Sequence, residues 1–237
     1  MTGSKKADSK NPEHLRAIRA VENMSLVARI PTPEVYIIDD PAINAFATGR
    51  GPKHAAISIS TGALENLDKL ELEGVVAHEI SHIKNRDILV MTIVVTLVGM
   101  IAMISDVMMR GSFRSGKGDR ENNGIVLMIG IIFALLAPLI AKIIQMAISR
   151  KREFLADASG AEITRHPQGL ADALKKISQQ GMKMKKAGTA TAHLFISSPF
   201  GDEKKTKINF LERIFSTHPP IQERIKILEE MGVRKKS

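Results

Sequence analysis

Residues His78, Glu79, Ile80, Ser81 and His82 spell H-E-x-x-H. On a helix, 3.6 residues per turn stack positions 78 and 82 on one face, so both imidazoles reach a single ion and Glu79 points along the neighbouring face. Zinc held by two His and one further protein ligand keeps a position open for water and acidifies it toward neutrality, which is hydrolytic chemistry. Five letters are a short motif, and seven His in 237 residues leave room for coincidence. The third ligand carries the decision. The chain has no Cys, so that ligand is a His, Asp or Glu.

Glu153 and Asp157 stand four apart on a predicted helix, so one can bind the ion while the other orients a ligand imidazole. Spacing alone would equally describe an exposed charge pair beside Lys151 and Arg152. His166 and His193 are alternatives that no spacing argument selects. The apolar segments favour Glu153. Residues 88–105 and 122–141 contain no Asp, Glu, Lys or Arg, and each is about long enough to cross a ~30 Å hydrocarbon core at 1.5 Å per residue. The alternative is a buried core hairpin. His82 precedes the first run and Glu153 follows the second, so two crossings return Glu153 to the side of the His pair.

The net charge is +9, with one Tyr, eight Phe and no Trp. Without a basic stripe interleaved with aromatics, this argues for a lipid surface and against a nucleic-acid partner. Lys84 and Arg86 precede the first run and Lys142, Arg150, Lys151 and Arg152 follow the second, against Arg110, Arg114, Lys117 and Arg120 between them. The positive-inside rule then puts the motif in the cytoplasm. Absence of Cys agrees with a reducing compartment. Met1–Lys10 is polar and basic with no apolar stretch behind it, so membrane attachment is expected from the internal pair. Gly111, Gly116 and Lys117 fall at P-loop spacing, but Gly118 stands where Ser or Thr would hold magnesium, so no nucleotide is expected.

Several elements must position these residues. Residues 1–10 read as a flexible leader, and Pro12–Arg29 as an amphipathic helix with Leu15, Ile18, Val21 and Leu26 on or near one face. Glu34–Asp39 and Ala55–Ser60 read as strands, with turn-rich sequence at 40–41 and 48–52. Asp68 and Glu71 form a capping box for the motif helix, which can run straight into the first apolar run. Further helices are expected at Ile143–Thr164, Pro167–Gln180, Lys205–Phe215 and Pro219–Met231, with a mobile basic loop at 181–190. The fold class is α+β, predominantly helical, with a small β-sheet. Residues 11–87 and 142–237 make the two parts of one catalytic domain, divided by transmembrane segments 88–105 and 122–141 and a loop at 106–121.

Glu79 would take a proton from water attacking a peptide carbonyl and pass it to the departing amine. The oxyanion needs a donor. Tyr36 lies in a strand pattern and suits that role poorly. His218, in Ser216-Thr217-His218-Pro219-Pro220, and Arg224 in the first turn that follows are better placed, although His218 also reads as a plain loop residue before a Pro-initiated helix.

Four motifs in order now resemble one family: Asn44-Ala45-Phe46-Ala47-Thr48-Gly49, AHEISHIKNRD around His78–His82, KREFLADASGA around Glu153–Asp157, and STHPPIQERI from Ser216. The chain resembles the HtpX-type membrane-bound zinc metalloproteases, of gluzincin fold and related to the CAAX prenyl endoproteases. The resemblance implies that His78, His82 and Glu153 bind one zinc, Glu79 is catalytic base and acid, and Asp157 supports a ligand His. It also implies that His218 helps stabilise the transition state with Arg224 near the site, and that Asn44, Ala45, Phe46 and Ala47 line the substrate cleft, where an extended substrate adds as a strand. It further implies misfolded or damaged membrane proteins as substrates, at the bacterial cytoplasmic membrane. Such proteases usually begin with another hydrophobic pair, which bears on topology and substrate delivery here. The rival readings are a CAAX-type prenyl endoprotease and a noncatalytic membrane adaptor; Glu79 argues against the adaptor, because a structural zinc site does not need that carboxylate.

Overall fold

A computed structural model describes residues 4–114, 124–182 and 219–234. Helix α1 (Pro12–Ala28) starts where the Asn11 side chain accepts from the amides of Glu13 and His14, with Pro12 preset for the first turn. It buries a stripe of mostly small residues, Ala17, Ala20, Val21, Met24 and Ala28. Leu26, expected on that face, is 80 % exposed. Small side chains let α1 lie close on its neighbours, and this selects a face rotated away from Leu26.

Strands β1 (Lys5–Lys6), β2 (Glu34–Ile38), β3 (Ala45–Gly51) and β4 (His54–Ser60) form one sheet in the order β1-β2-β4-β3. β1 is antiparallel to β2, β2 parallel to β4, and β3 antiparallel to β4. The leader therefore contributes an edge strand, fastened by an ion pair of 2.9 Å between Lys6 and Glu34. β3 differs from the local reading of 44–49 as a turn. Its strand character comes from pairing, Ala45 with Ile59 and Ala47 with Ile57, and not from its own composition. Gly49 (φ 127°) is required where β3 bends, since a Cβ there would lie 2.0 Å from the His54 carbonyl oxygen.

After the short α2 (Thr61–Asn66), α3 (Lys69–Lys84) runs through the middle of the molecule. Leu72, Val75, Val76, Ala77 and Ile80 are almost wholly buried, against α1, β3, α5 (Gly124–Thr164) and α6 (Pro167–Gln180). Helix α3 does not run on into the apolar segment. Asn85 N–H bonds the Ser81 carbonyl at 2.9 Å, Arg86 adopts a left-handed conformation (φ 54°), and a new helix, α4 (Asp87–Arg114), begins at Asp87.

α4 carries the span Asp87–Val107, of mean hydropathy 2.6 and only 6 % buried, so it is not a core helix. Among the described residues it is the one helix long and apolar enough to cross a membrane. It continues to Arg114, so 106–114 of the expected loop is helical and Gly111 lies within the helix. α5 packs along α4 and presents Leu135, Leu136, Leu139 and Ile140 outward. Its 41 residues form one helix with Pro138 inside, so the second apolar segment and the expected helix at 143–164 are a single element. The final described helix is α7 (Ile221–Arg234). The expected helix at 205–215, His193 and His218 lie outside the described residues.

Candidate metal centre

The N-terminus of α3 is fixed by a reciprocal capping box. Asp68 accepts from the Glu71 amide at 2.9 Å, and Glu71 accepts from the Asp68 amide at 2.7 Å. One turn from the far end, His78 and His82 stack as the helical repeat requires, with ring centroids 4.6 Å apart and the two Nε2 atoms 3.1 Å apart. α5 delivers Glu153, whose Oε2 is 3.8 Å from His78 Nε2 and whose Oε1 is 3.6 Å from His82 Nε2. One ligand atom from each of the three residues lies within 4.8 Å of the others. Close approach of α5 depends on Gly160, where a Cβ would already stand 3.1 Å from the His78 amide nitrogen.

The other nitrogen of each imidazole faces a carboxylate. His78 Nδ1 is 2.9 Å from Asp157 Oδ1, and His82 Nδ1 is 2.7 Å from Asp87 Oδ2. A carboxylate is an acceptor, so each ring presents Nδ1–H to it and turns a bare Nε2 lone pair toward its neighbour. Two lone pairs at 3.1 Å beside a carboxylate repel, and a cation among them removes the conflict. Two imidazole nitrogens and one carboxylate oxygen fit zinc.

Both carboxylates behind the imidazoles meet an arginine. Arg224 donates from Nε to Asp157 Oδ2 at 2.8 Å and from Nη2 to Asp157 Oδ1 at 2.7 Å, and its Nη1 lies 3.4 Å from Glu153 Oε2. Its guanidinium is thus committed to these carboxylates, a different place from the oxyanion donor considered above. Arg152 pairs with Asp87 and donates to the Asn85 carbonyl at 2.9 Å. Neither Asp87 nor its arginine was singled out as a site residue from sequence. The available signal was the stop and restart at Asn85-Arg86-Asp87, with Asp in a first helical turn.

Burial lowers the His78 pKa despite the pull of Asp157, which keeps the ring neutral as a ligand must be. Burial works against the Asp157 charge, but Arg224 and the hydrogen bonds from His78 and Arg224 outweigh it and hold the carboxyl below its ordinary value. Arg224 is likewise held charged, its burial overcome by Asp157, Glu153 and Glu79. Glu79, 1 % exposed, is pushed up to about 8 by burial. The Ala47 main chain on β3 favours its ionised form, yet neither carboxylate oxygen completes a hydrogen bond of good geometry among the described residues. A cation at the adjacent donor set would draw that pKa down. Asn44, Ala45, Phe46 and Ala47 are all buried, three of them in the outer strand β3.

A helix-borne His pair, a carboxylate from a second helix and a buried glutamate beside an outer strand define a metallopeptidase site. The chain belongs to peptidase family M48, whose sequence profile matches residues 12–232. It is 50 % identical over 228 residues to a Protease HtpX homolog of Thermoanaerobacter pseudethanolicus, covering 93 % of this chain and 74 % of that one. It is 46 % identical over 232 residues to a Protease HtpX homolog of Tropheryma whipplei, covering 98 % and 77 %. The crystal structure of S. mikatae Ste24p shares the fold with a TM-score of 0.62 at 22 % identity, covering 95 % of this chain and 51 % of that chain. The chain is therefore a metalloprotease, and it carries a helix suited to a membrane.

Proposed function

We propose that this chain is an integral-membrane zinc endopeptidase that cleaves misfolded or damaged membrane proteins at segments exposed on the cytoplasmic side. The observation that carries this reading is the convergence of His78, His82 and Glu153 beside a buried Glu79 whose carboxylate oxygens complete no hydrogen bond of good geometry among the described residues. His78, His82 and Glu153 would hold one zinc ion. Bound there, zinc supplies a Lewis acid that polarises the scissile carbonyl and acidifies water.

The chain's own residues supply the rest. Glu79 takes a proton from the attacking water and hands it to the departing amine, and its place in a dry pocket keeps its proton affinity in the useful range. β3, at the edge of the sheet and in contact with α3, offers the main chain along which an extended substrate aligns its carbonyl near Glu79. His218 assists at the developing oxyanion, while Asp157 and Arg224 orient His78. α4 and the first part of α5 form a hairpin of two crossings, which returns the chain to the cytoplasmic face and joins membrane insertion to delivery of Glu153. The bacterial inner membrane and a role in membrane-protein quality control complete the reading.

The test is Glu79→Gln in the full chain, purified in detergent and assayed on an unfolded membrane substrate. Zinc content should stay at one per chain while cleavage falls roughly 10²–10⁴-fold. Unchanged cleavage removes Glu79 from the mechanism, and a wild-type chain that takes up no zinc removes the metal reading. Paired peptides with and without a prenylated cysteine separate this activity from the CAAX-type alternative.

A further inference from the structure

His82 is the more exposed of the two imidazoles, its side chain 16 % accessible against none for His78. It projects from the last turn of α3, next to a break in the chain. At such a position the ring orientation needs an external hold. The corner supplies one. Arg86 turns left-handed and breaks the helix, and Asp87 lies against the ring, with Oδ2 at 2.7 Å from Nδ1. Asp87 is itself 5 % exposed, and a buried carboxylate needs a compensating charge. Arg152 meets it, and the same guanidinium donates to the Asn85 carbonyl at the C-cap of α3. Arg152 immediately precedes Glu153, so the turn of α5 that delivers a ligand also delivers this clamp.

We propose that Asp87 and Arg152 are positioning residues for the metal ligand His82. Asp87 fixes the tautomer and plane of the ring, and Arg152 pairs with the Asp87 carboxylate and holds the α3–α4 corner closed. The proposal rests on the metal reading of His78, His82 and Glu153. It assigns a chemical duty to a corner that would otherwise serve only to join two helices.

Zinc affinity of the full detergent-purified chain, measured by competition with a chromophoric chelator, tests the assignment. Asp87→Ala should bind zinc roughly 10–100-fold more weakly than wild type. Arg152→Met should lose less, and the loss in the double variant should be less than the sum of the two, because the residues share one contact. The visible bands of the cobalt-loaded protein should shift in Asp87→Ala. They should not shift in Val21→Ala, a core change on α1 that lowers stability without touching the site. If Asp87→Ala does not give a cooperatively folded protein, the isosteric Asp87→Asn carries the test, since it keeps an acceptor but loses the charge. A folded Asp87 variant with wild-type zinc affinity and unshifted cobalt bands overturns the proposal. A wild-type chain without zinc affinity would instead overturn the metal reading beneath it.

Discussion

His78 touches Asp157 and, through it, Arg224, whereas His82 touches Asp87 and, through it, Arg152. The order of groups is the same, imidazole to carboxylate to guanidinium, yet the parts come from different distances along the chain. Asp87 lies five residues from His82, across a corner, and its arginine comes from α5. The His78 arm takes its arginine from α7, 67 residues beyond Asp157. Burial differs as well. The Asp157 and Arg224 side chains are each 2 % accessible, while Arg152 is 21 % accessible. The long arm ties the ligand His to docking of the last helix, so it reports on the whole fold. The short arm belongs to the junction with α4.

The largest effect should come from removing the two arginines separately. Arg224→Met strands a buried carboxylate and should cost about 3–5 kcal/mol of stability. Arg152→Met also strands a buried carboxylate, Asp87, but the guanidinium it removes is itself 21 % accessible, so water can follow into its place and the cost should be smaller, about 1–3 kcal/mol. Thermal unfolding of the metal-free proteins measures both. Equal losses would mean that burial does not distinguish the arms.

The same contrast marks what was legible in the sequence. His78 and His82 follow from helical periodicity, and the Asp68–Glu71 box and the start of α6 at Pro167 are local signals that the structure repeats. Grouping Glu153 with the His pair required an argument about returning segments, and the three do converge. Other features are tertiary. Ala45–Gly51 has turn-rich composition and is a strand because β4 pairs with it. Arg86 carries no glycine or asparagine to announce a left-handed turn, so α3 could be read as continuous with α4 and Asp87 as the start of an apolar run. The partner of Arg224 lies 67 residues away, where no local pattern can point. Two apolar segments were visible, but not that the second belongs to one long helix: α5 carries it and reaches the site without a break.

Between the two arms sits Glu79, the carboxylate that has no arginine bonded to it among the described residues. Burial pushes its pKa up to about 8, from the ordinary value of 4.5. Below pH 4.5 the group is protonated in folded and unfolded chains alike, and it costs nothing. Between 4.5 and about 8 the unfolded chain ionises while the folded one keeps its proton, so this contribution to stability falls as pH rises. Gln cannot ionise. Metal-free Glu79→Gln should therefore gain stability over wild type through that window, on the order of 3 kcal/mol at pH 7, and match it below pH 4.5. Melting temperatures against pH, with a chelator present, measure this. A difference that stays constant with pH would show that Glu79 is as well compensated as Asp87 and Asp157.

The smallest effect separates the arms by geometry. Gly160 stands one turn beyond Asp157, at the point where α5 presses on α3 beside His78. Alanine there gains roughly 1 kcal/mol of helix propensity. Its Cβ, however, would meet the His78 amide nitrogen at 3.1 Å and the Ala77 carbonyl carbon at 3.3 Å, so the helices must part by a few tenths of an ångström. Overpacking of this kind costs about 1–3 kcal/mol, which offsets the propensity gain and leaves the melting temperature of the metal-free protein little changed. The metal site does not share that compensation. Moving α5 outward draws both Glu153 and Asp157 away from His78, while His82 and Asp87 keep their own contact within the α3–α4 corner. Gly160→Ala should weaken zinc binding by about 1 kcal/mol, roughly fivefold, in the same chelator competition. A raised melting temperature with unchanged zinc affinity would mean that the helices yield without moving the buried arm, and that His78 is held by its own helix more than by Asp157.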